Sequence, residues 1–457
     1  MLLTPEEYGH YYVTLSTFGL IRVFSMVWLS SNVTRFYLNY KDTNRRKEFF
    51  STLFFTTIPS SLFVALVSFC INFFIFKNKM VNELYILINI AIAASIVNSF
   101  FEIFVMIYRA GLEPHKYSFY WVLYSVGKPV LGIVLIVFFN FRTEGIFWGF
   151  LIVPLILDIV LFFKLELFNF VRLKNVTLSL CKKFSHYGTP YILSFLSFWI
   201  LTLSDRYLIE YFQTSQEVGF YSVGYTISEK TLNFVYTIIM LAAYPIIVEN
   251  WEKYGKTQTQ QLITETTRVF LLVCTPILLV LVAVPKQVLL LFSSSDFIQG
   301  ARALPLIAVG IYIYGLNQYV LKGFELLQKS FFIGILALFA GVLDIILNII
   351  LIPKMGYLGA GISACIAYIF YFIATIVTVK RIMPWVPPVG TIKSVLIAGI
   401  IMLALFKVGL YINDSFLFVI ITIPVNVLIF FGLLVLQKEI KRSEIDFVRK
   451  KVGMMFR

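Results

Sequence analysis

Apolar residues run along this chain in uninterrupted blocks of about twenty or more, broken by short polar stretches that hold most of the basic residues. A helix of about 20 residues rises ~30 Å, the thickness of a bilayer's hydrocarbon core. Transmembrane β-strands would instead alternate apolar and polar positions over about ten residues, and these blocks do not alternate. The pattern therefore predicts an all-α polytopic membrane protein. Thirteen spans are expected, at 10–31, 49–76, 84–108, 117–140, 146–164, 187–209, 219–247, 267–291, 301–321, 330–353, 356–379, 391–411 and 415–436.

Composition agrees. Of 457 residues, 59% are hydrophobic and 14% charged, against about 25% charged in soluble domains. Mean hydropathy is +0.87. A soluble globular enzyme is excluded. The four cysteines are far apart and the three histidines are scattered, so neither a disulfide framework nor a metal site is indicated and no cofactor is expected. The net charge of +14 would suit a nucleic-acid partner, but the basic residues fall in alternate loops. With the Arg45-Arg46-Lys47 loop placed inside, the inside segments hold 27 Lys and Arg and the outside loops 5. Cytoplasmic loops are the ones enriched in base. This asymmetry orients the chain in the cytoplasmic membrane, with the basic tail 437–457 inside and Met1 outside. A start outside with no span before it leads us to expect that one helix upstream is missing.

Glu7, Gly9, Tyr11 and Val13 match Glu217, Gly219, Tyr221 and Val223 at a constant offset of 210, and both stretches open a span after an outside loop. An even number of spans separates the copies, so they run in parallel, a recurring transporter plan. The expected organisation is two parallel pseudo-symmetric six-helix lobes plus two extra helices. An N-terminal lobe of five spans (1–164) lacks its first helix. An amphipathic cytoplasmic linker follows (165–186), then a six-span lobe (187–380), the two additional spans (381–436) and the tail.

Several passages resemble one family. Leu3-Thr4-Pro5-Glu6-Glu7-Tyr8-Gly9 and Arg35-Phe36-Tyr37 resemble the entry and exit of the second helix of O-antigen-type polysaccharide repeat-unit flippases. Asp205-Arg206-Tyr207-Leu208-Ile209, followed by Val218-Gly219-Phe220-Tyr221-Ser222, resembles the matching passage of the second half. Leu347-Asn348-Ile349-Ile350-Leu351-Ile352-Pro353, with Gly356 and Gly359-Ala360-Gly361, resembles the signature between the eleventh and twelfth helices. This is the polysaccharide-transporter branch of a superfamily that also holds multidrug extruders and peptidoglycan-precursor flippases. The resemblance implies twelve or fourteen helices and transfer of a polyprenyl-pyrophosphate-linked oligosaccharide between leaflets. It implies membrane lipids, a polysaccharide polymerase and assembly proteins as partners.

A sugar headgroup with a pyrophosphate needs a polar, cationic path through the membrane, expected between the two lobes. Ionisable residues inside spans cost about 2.5–3.5 kcal/mol each on insertion scales and tend to face a cavity or a partner. Arg22 lies ~20 Å along its helix from Gly9, and Lys128 and Lys230 lie ~16 Å from Tyr117 and Gly219. These three are the candidate phosphate contacts. Lys128 sits in Gly127-Lys128-Pro129, where proline removes a backbone donor and kinks the helix. The break either lines a cavity or serves packing. Asp205-Arg206 is a candidate gate between lobes or a local ion pair. Glu102, Asp158 and Asp344 are candidate ion-coupling acids or partners of nearby cations. Asp344 and Asn348 share a helix face.

Two other functions were weighed. A cation-coupled multidrug extruder generally has twelve helices and uses acids for cationic cargo. A membrane-embedded polysaccharide polymerase or ligase generally needs a large external loop, and the outside loops are short here. Catalysis is therefore not expected.

Overall fold

The computed structural model describes residues 3–41, 43, 45–76 and 81–440. Lys77, Lys79 and the basic tail beyond Ile440 lie outside the described residues. The long helices are α1 (Pro5–Lys41), α2 (Arg46–Phe74), α3 (Asn82–Ala110), α4 (Pro114–Phe139) and α5 (Arg142–Lys164). A bent pair follows, α6 (Leu178–Leu203) and α7 (Asp205–Phe212), then α8 (Ser215–Tyr254), α9 (Lys256–Ala283), α10 (Leu304–Leu326), α11 (Ser330–Met355), α12 (Tyr357–Val379), α13 (Val389–Ile412) and α14 (Phe416–Leu436). Among the described residues twelve are individually long and apolar enough to cross a membrane, and the pair α6 and α7, bent by 46°, passes together as a broken span, which gives up to thirteen. The all-helical architecture and the span count follow the sequence pattern.

The boundaries move where local chemistry overrides hydropathy. Helix α1 starts at Thr4, whose hydroxyl accepts from the Glu7 amide at 3.3 Å while the Glu7 carboxylate accepts from the Thr4 amide at 2.8 Å. Pro5 occupies the first helical position, where no donor is lost. Helix α1 is interrupted by a π-helical stretch at Val23–Val27. The predicted span at 267–291 divides. Helix α9 stops at Ala283 and Pro285 opens a separate short helix, Pro285–Phe292. Within the expected linker 165–186 the chain is already helical from Leu178, where α6 begins. Before it, Ser51 donates to the Phe170 carbonyl at 2.9 Å and accepts from the Arg172 amide at 3.0 Å, pinning the linker to the start of α2.

The chain divides into two compact units, 1–219 and 220–457, the division falling in the first turns of α8. In the first unit α3 packs against α1, α2, α4 and α5. An aromatic core of Phe49, Phe50, Phe101, Phe104 and Phe184 closes one end. Helices α4 and α5 approach closely, since a Cβ on Gly149 would press on the Lys128 carbonyl and one on Gly127 would meet Val153. Small residues allow such close approach between membrane helices. Helix α4 is continuous through Pro129, so the Gly127-Lys128-Pro129 motif serves packing.

In the second unit α12 packs on α10 and α11, and α9 packs on α10 and α13. One face of α9 holds the segment that leads to the last two spans. Lys256, Gln260 and Thr264 donate to the carbonyls of Ile382, Pro384 and Val386 at 2.7, 2.8 and 2.9 Å. The registers agree. Four helical residues rise ~6 Å, and two extended residues span ~6.6 Å. One turn further on, Arg268 continues the stripe and its Nε donates to Glu439 Oε1 at 2.9 Å, beyond α14.

Candidate functional site

Arg22 ends the regular part of α1, just before the π-helical stretch, a distortion frequent at functional sites. Its Nη2 lies 2.5 Å from Glu102 Oε1 on α3. Glu102 is buried, whereas the Arg22 side chain is 45% exposed, so one edge of the guanidinium is committed and the rest is open. Lys128 of α4 stands close by. Its Nζ sits 3.6 Å from the ring centroid of Tyr124 and 4.2 Å from that of Phe150 on α5. Among the described residues no carboxylate lies within ion-pairing distance of it. Ring faces attract a cation by about 0.5–2 kcal/mol but leave its charge unneutralised.

The rings are themselves fixed. Tyr124 donates its hydroxyl to Asn98 Oδ1 at 2.5 Å. Asn98 Nδ2 donates to the carbonyls of Ala94 and Phe150 at 2.7 and 2.8 Å. Helices α1, α3, α4 and α5 thus present two cations against one paired carboxylate, on a rigid polar scaffold. Asn98 and Tyr124 were not singled out from the sequence. Each lies four residues before a singled-out residue, Glu102 or Lys128, on the same helix face, which is the signal that could have found them.

The remaining candidates lie elsewhere. Lys230 is on α8 in the second unit, 74% exposed, with its Nζ 3.5 Å from Glu229 Oε2. It borders a cavity of about 440 Å³ lined by Asn233 and Tyr236 of α8 and by Tyr314 and Gln318 of α10. Asp205 and Arg206 are both buried, 3.8 Å apart, at the bend between α6 and α7. Arg206 also donates to the Thr202 carbonyl. The bend is tied to α1 by a 2.5 Å hydrogen bond between Thr17 and Tyr207 and by Trp199 donating to the Ser16 carbonyl at 2.9 Å.

The three acids are separate too. Glu102 is the partner of Arg22. Asp158 of α5 borders an apolar crevice of about 350 Å³ walled by Phe54, Phe100, Phe104 and Phe162. Its Oδ1 is buried with no hydrogen-bond partner. Asp344 is buried in α11 and accepts from Asn348 Nδ2 at 3.0 Å. Hydropathy also misplaced Lys322. The expected span ends at 321, but α10 runs to Leu326. Lys322 is 5% exposed, 2.7 Å from Glu325 Oε2 and over the Tyr244 ring at 5.0 Å.

Known proteins resemble this chain in sequence and fold. The polysaccharide biosynthesis protein family matches residues 1–251. An uncharacterized membrane protein of Methanocaldococcus jannaschii is 21% identical over 404 residues, covering 82% of this chain and 78% of that protein. The probable flippase AglR of Haloferax volcanii is 22% identical over 298 residues, covering 64% of this chain and 60% of its own length. Among solved structures, the lipid II flippase MurJ in an inward closed conformation superposes with a TM-score of 0.75 at 15% identity, covering 96% of this chain and 94% of that one. An inward-facing multidrug resistance MATE transporter of the MOP superfamily gives 0.63 at 17% identity, covering 83% and 92%. The chain is a multi-pass membrane protein that belongs to the polysaccharide biosynthesis protein family and shares the fold of the lipid II flippase MurJ and of MATE transporters.

Proposed function

We propose that this protein moves polyprenyl-pyrophosphate-linked oligosaccharide units from the inner to the outer leaflet of the cytoplasmic membrane by alternating access, for the assembly of a cell-surface polysaccharide. The observation that carries the reading is Lys128, held over the Tyr124 and Phe150 rings without a carboxylate partner beside a half-open Arg22. A cation inside a span without a counter-ion is costly, and an anionic headgroup neutralises it. Arg22 offers a planar fork suited to phosphate oxygens, and Lys128 a point charge. An extruder of cationic drugs would invert this balance of charge.

The test is leaflet accessibility of lipid-linked units in cells lacking the gene, complemented with wild type, Arg22→Gln or Lys128→Gln. Wild type is expected to restore outer-leaflet units and each variant to reduce the rate at least tenfold. Normal outer-leaflet delivery without the gene, or full activity of Arg22→Gln with Lys128→Gln, would sink the reading.

A further inference from the structure

The cavity between α8 and α10 has a chemistry unlike that around Arg22 and Lys128. Its one cation, Lys230, faces Glu229 at 3.5 Å, so the lining carries no net charge, and a pyrophosphate entering it would meet a carboxylate. The other polar groups are the amides of Asn233 and Gln318 and the hydroxyls of Tyr236, Thr237 and Tyr314. Amides and hydroxyls both donate and accept hydrogen bonds. That matches sugar hydroxyls, which do the same, whereas a phosphate asks for donors alone. The Gln318 and Tyr314 side chains hydrogen-bond each other, which fixes both against the cavity wall. The phenol rings of Tyr236 and Tyr314 add apolar surface of the kind that covers the C–H face of a pyranose. The volume of about 440 Å³ lies within the usual ~300–1,000 Å³ of small-molecule sites.

We propose that this cavity is a glycan subsite, taking a neutral sugar ring of the transported oligosaccharide. The assignment rests on the flippase reading above and gives the second unit a binding chemistry of its own.

The experiment is saturation-transfer NMR on the purified full chain in lipid nanodiscs, with the methyl glycosides of glucose, galactose and N-acetylglucosamine as probes. Binding of inorganic pyrophosphate is followed in parallel by ³¹P line broadening. At least one glycoside is expected to receive saturation. Gln318→Leu and Asn233→Leu are expected to weaken its binding about three- to tenfold, the loss of one or two neutral hydrogen bonds. Tyr314→Phe, which removes only a hydroxyl, keeps the test valid if a leucine variant unfolds, and is expected to weaken binding about threefold. Arg22→Gln is expected to leave glycoside binding unchanged and to weaken pyrophosphate. No saturation of any glycoside, wild-type binding in all three pocket variants, or displacement of the glycoside by pyrophosphate would each overturn the subsite. Pyrophosphate binding that persists while glycosides fail strikes the cavity alone. Glycoside binding without any pyrophosphate binding strikes the phosphate site, and with it the flippase reading.

Discussion

Gly9 and Gly219 make the same contact twice. A Cβ on Gly9 would run into the Ser215 carbonyl, and a Cβ on Gly219 would run into the Pro5 carbonyl. Each glycine thus faces the residue four positions before the other. The offset of 210 relates Gly9 to Gly219, Pro5 to Ser215, and Thr4 to Thr214. Thr4 and Thr214 cap their helices alike, each hydroxyl accepting from the amide three residues on at 3.3 Å. The helix starts of α1 and α8 therefore cross within the first unit by a self-complementary contact, as at a two-fold interface. Gly9→Ala and Gly219→Ala are each expected to cost about 1–3 kcal/mol by overpacking. The double variant should cost less than the sum, because both act on one crossing. Thermal unfolding of the four purified proteins checks this; strict additivity would mean that the two contacts are independent.

Among the described residues Glu102 is the anionic partner of Arg22, at 2.5 Å. Glu102→Gln removes a negative charge beside two cations. Binding of inorganic pyrophosphate is expected to tighten on the order of tenfold, about 1.4 kcal/mol. Titration of the purified variant measures it, and unchanged affinity would place the anion site away from Arg22.

Asp158 presents a buried, unpartnered oxygen to an apolar crevice. A polar group buried without a partner costs stability, so Asp158→Asn is expected to unfold at the wild-type temperature or above. We further propose that Asp158 is the ion-coupling acid, so that transport by Asp158→Asn in vesicles loses its stimulation by an imposed pH gradient. Retained stimulation would assign coupling to another group.

Lys322 and Glu325 form an ion pair in which Lys322 is buried. Lys322→Met leaves the carboxylate uncompensated and is expected to cost about 3 kcal/mol. Lys322→Met combined with Glu325→Gln should recover most of that. A double-mutant cycle by thermal unfolding reads the difference, and an equal loss in both variants would rule out a net role for the pair.

Glu439 joins α9 to the start of α13 just beyond α14. It accepts from Arg268 Nε at 2.9 Å and from Thr391 Oγ1 at 2.6 Å. Burial alone would raise its carboxyl, but the hydrogen bonds from Thr391 and Arg268 outweigh burial and hold it below the ordinary glutamate range. A carboxylate held low in the folded state contributes stability above its unfolded pKa of about 4.3 and loses it as pH falls through the folded value. Glu439→Gln is therefore expected to be less stable than wild type at neutral pH. The difference should shrink as pH drops below about 4. Melting curves across pH test it, and a pH-independent gap would assign the loss to packing.

The spans and their approximate number were legible in the linear chain because transfer of a helix from water to hydrocarbon is a local property, summed over about 20 consecutive residues. Charge asymmetry between loops is local in the same sense. Pairing is not. Arg22 meets Glu102, Lys128 finds two rings rather than an acid, and Lys230 meets its own neighbour Glu229 in the second unit. Hydropathy marks all three alike as costly cations. Helix ends differ from hydropathy where a capping hydrogen bond or an ion pair adds to it, as at Thr4 and Lys322. The stripe Lys256, Gln260, Thr264 and Arg268 has its partners more than a hundred residues away. Only folding brings such groups within hydrogen-bond reach, and only that proximity separates a neutralised charge from one left to meet a ligand.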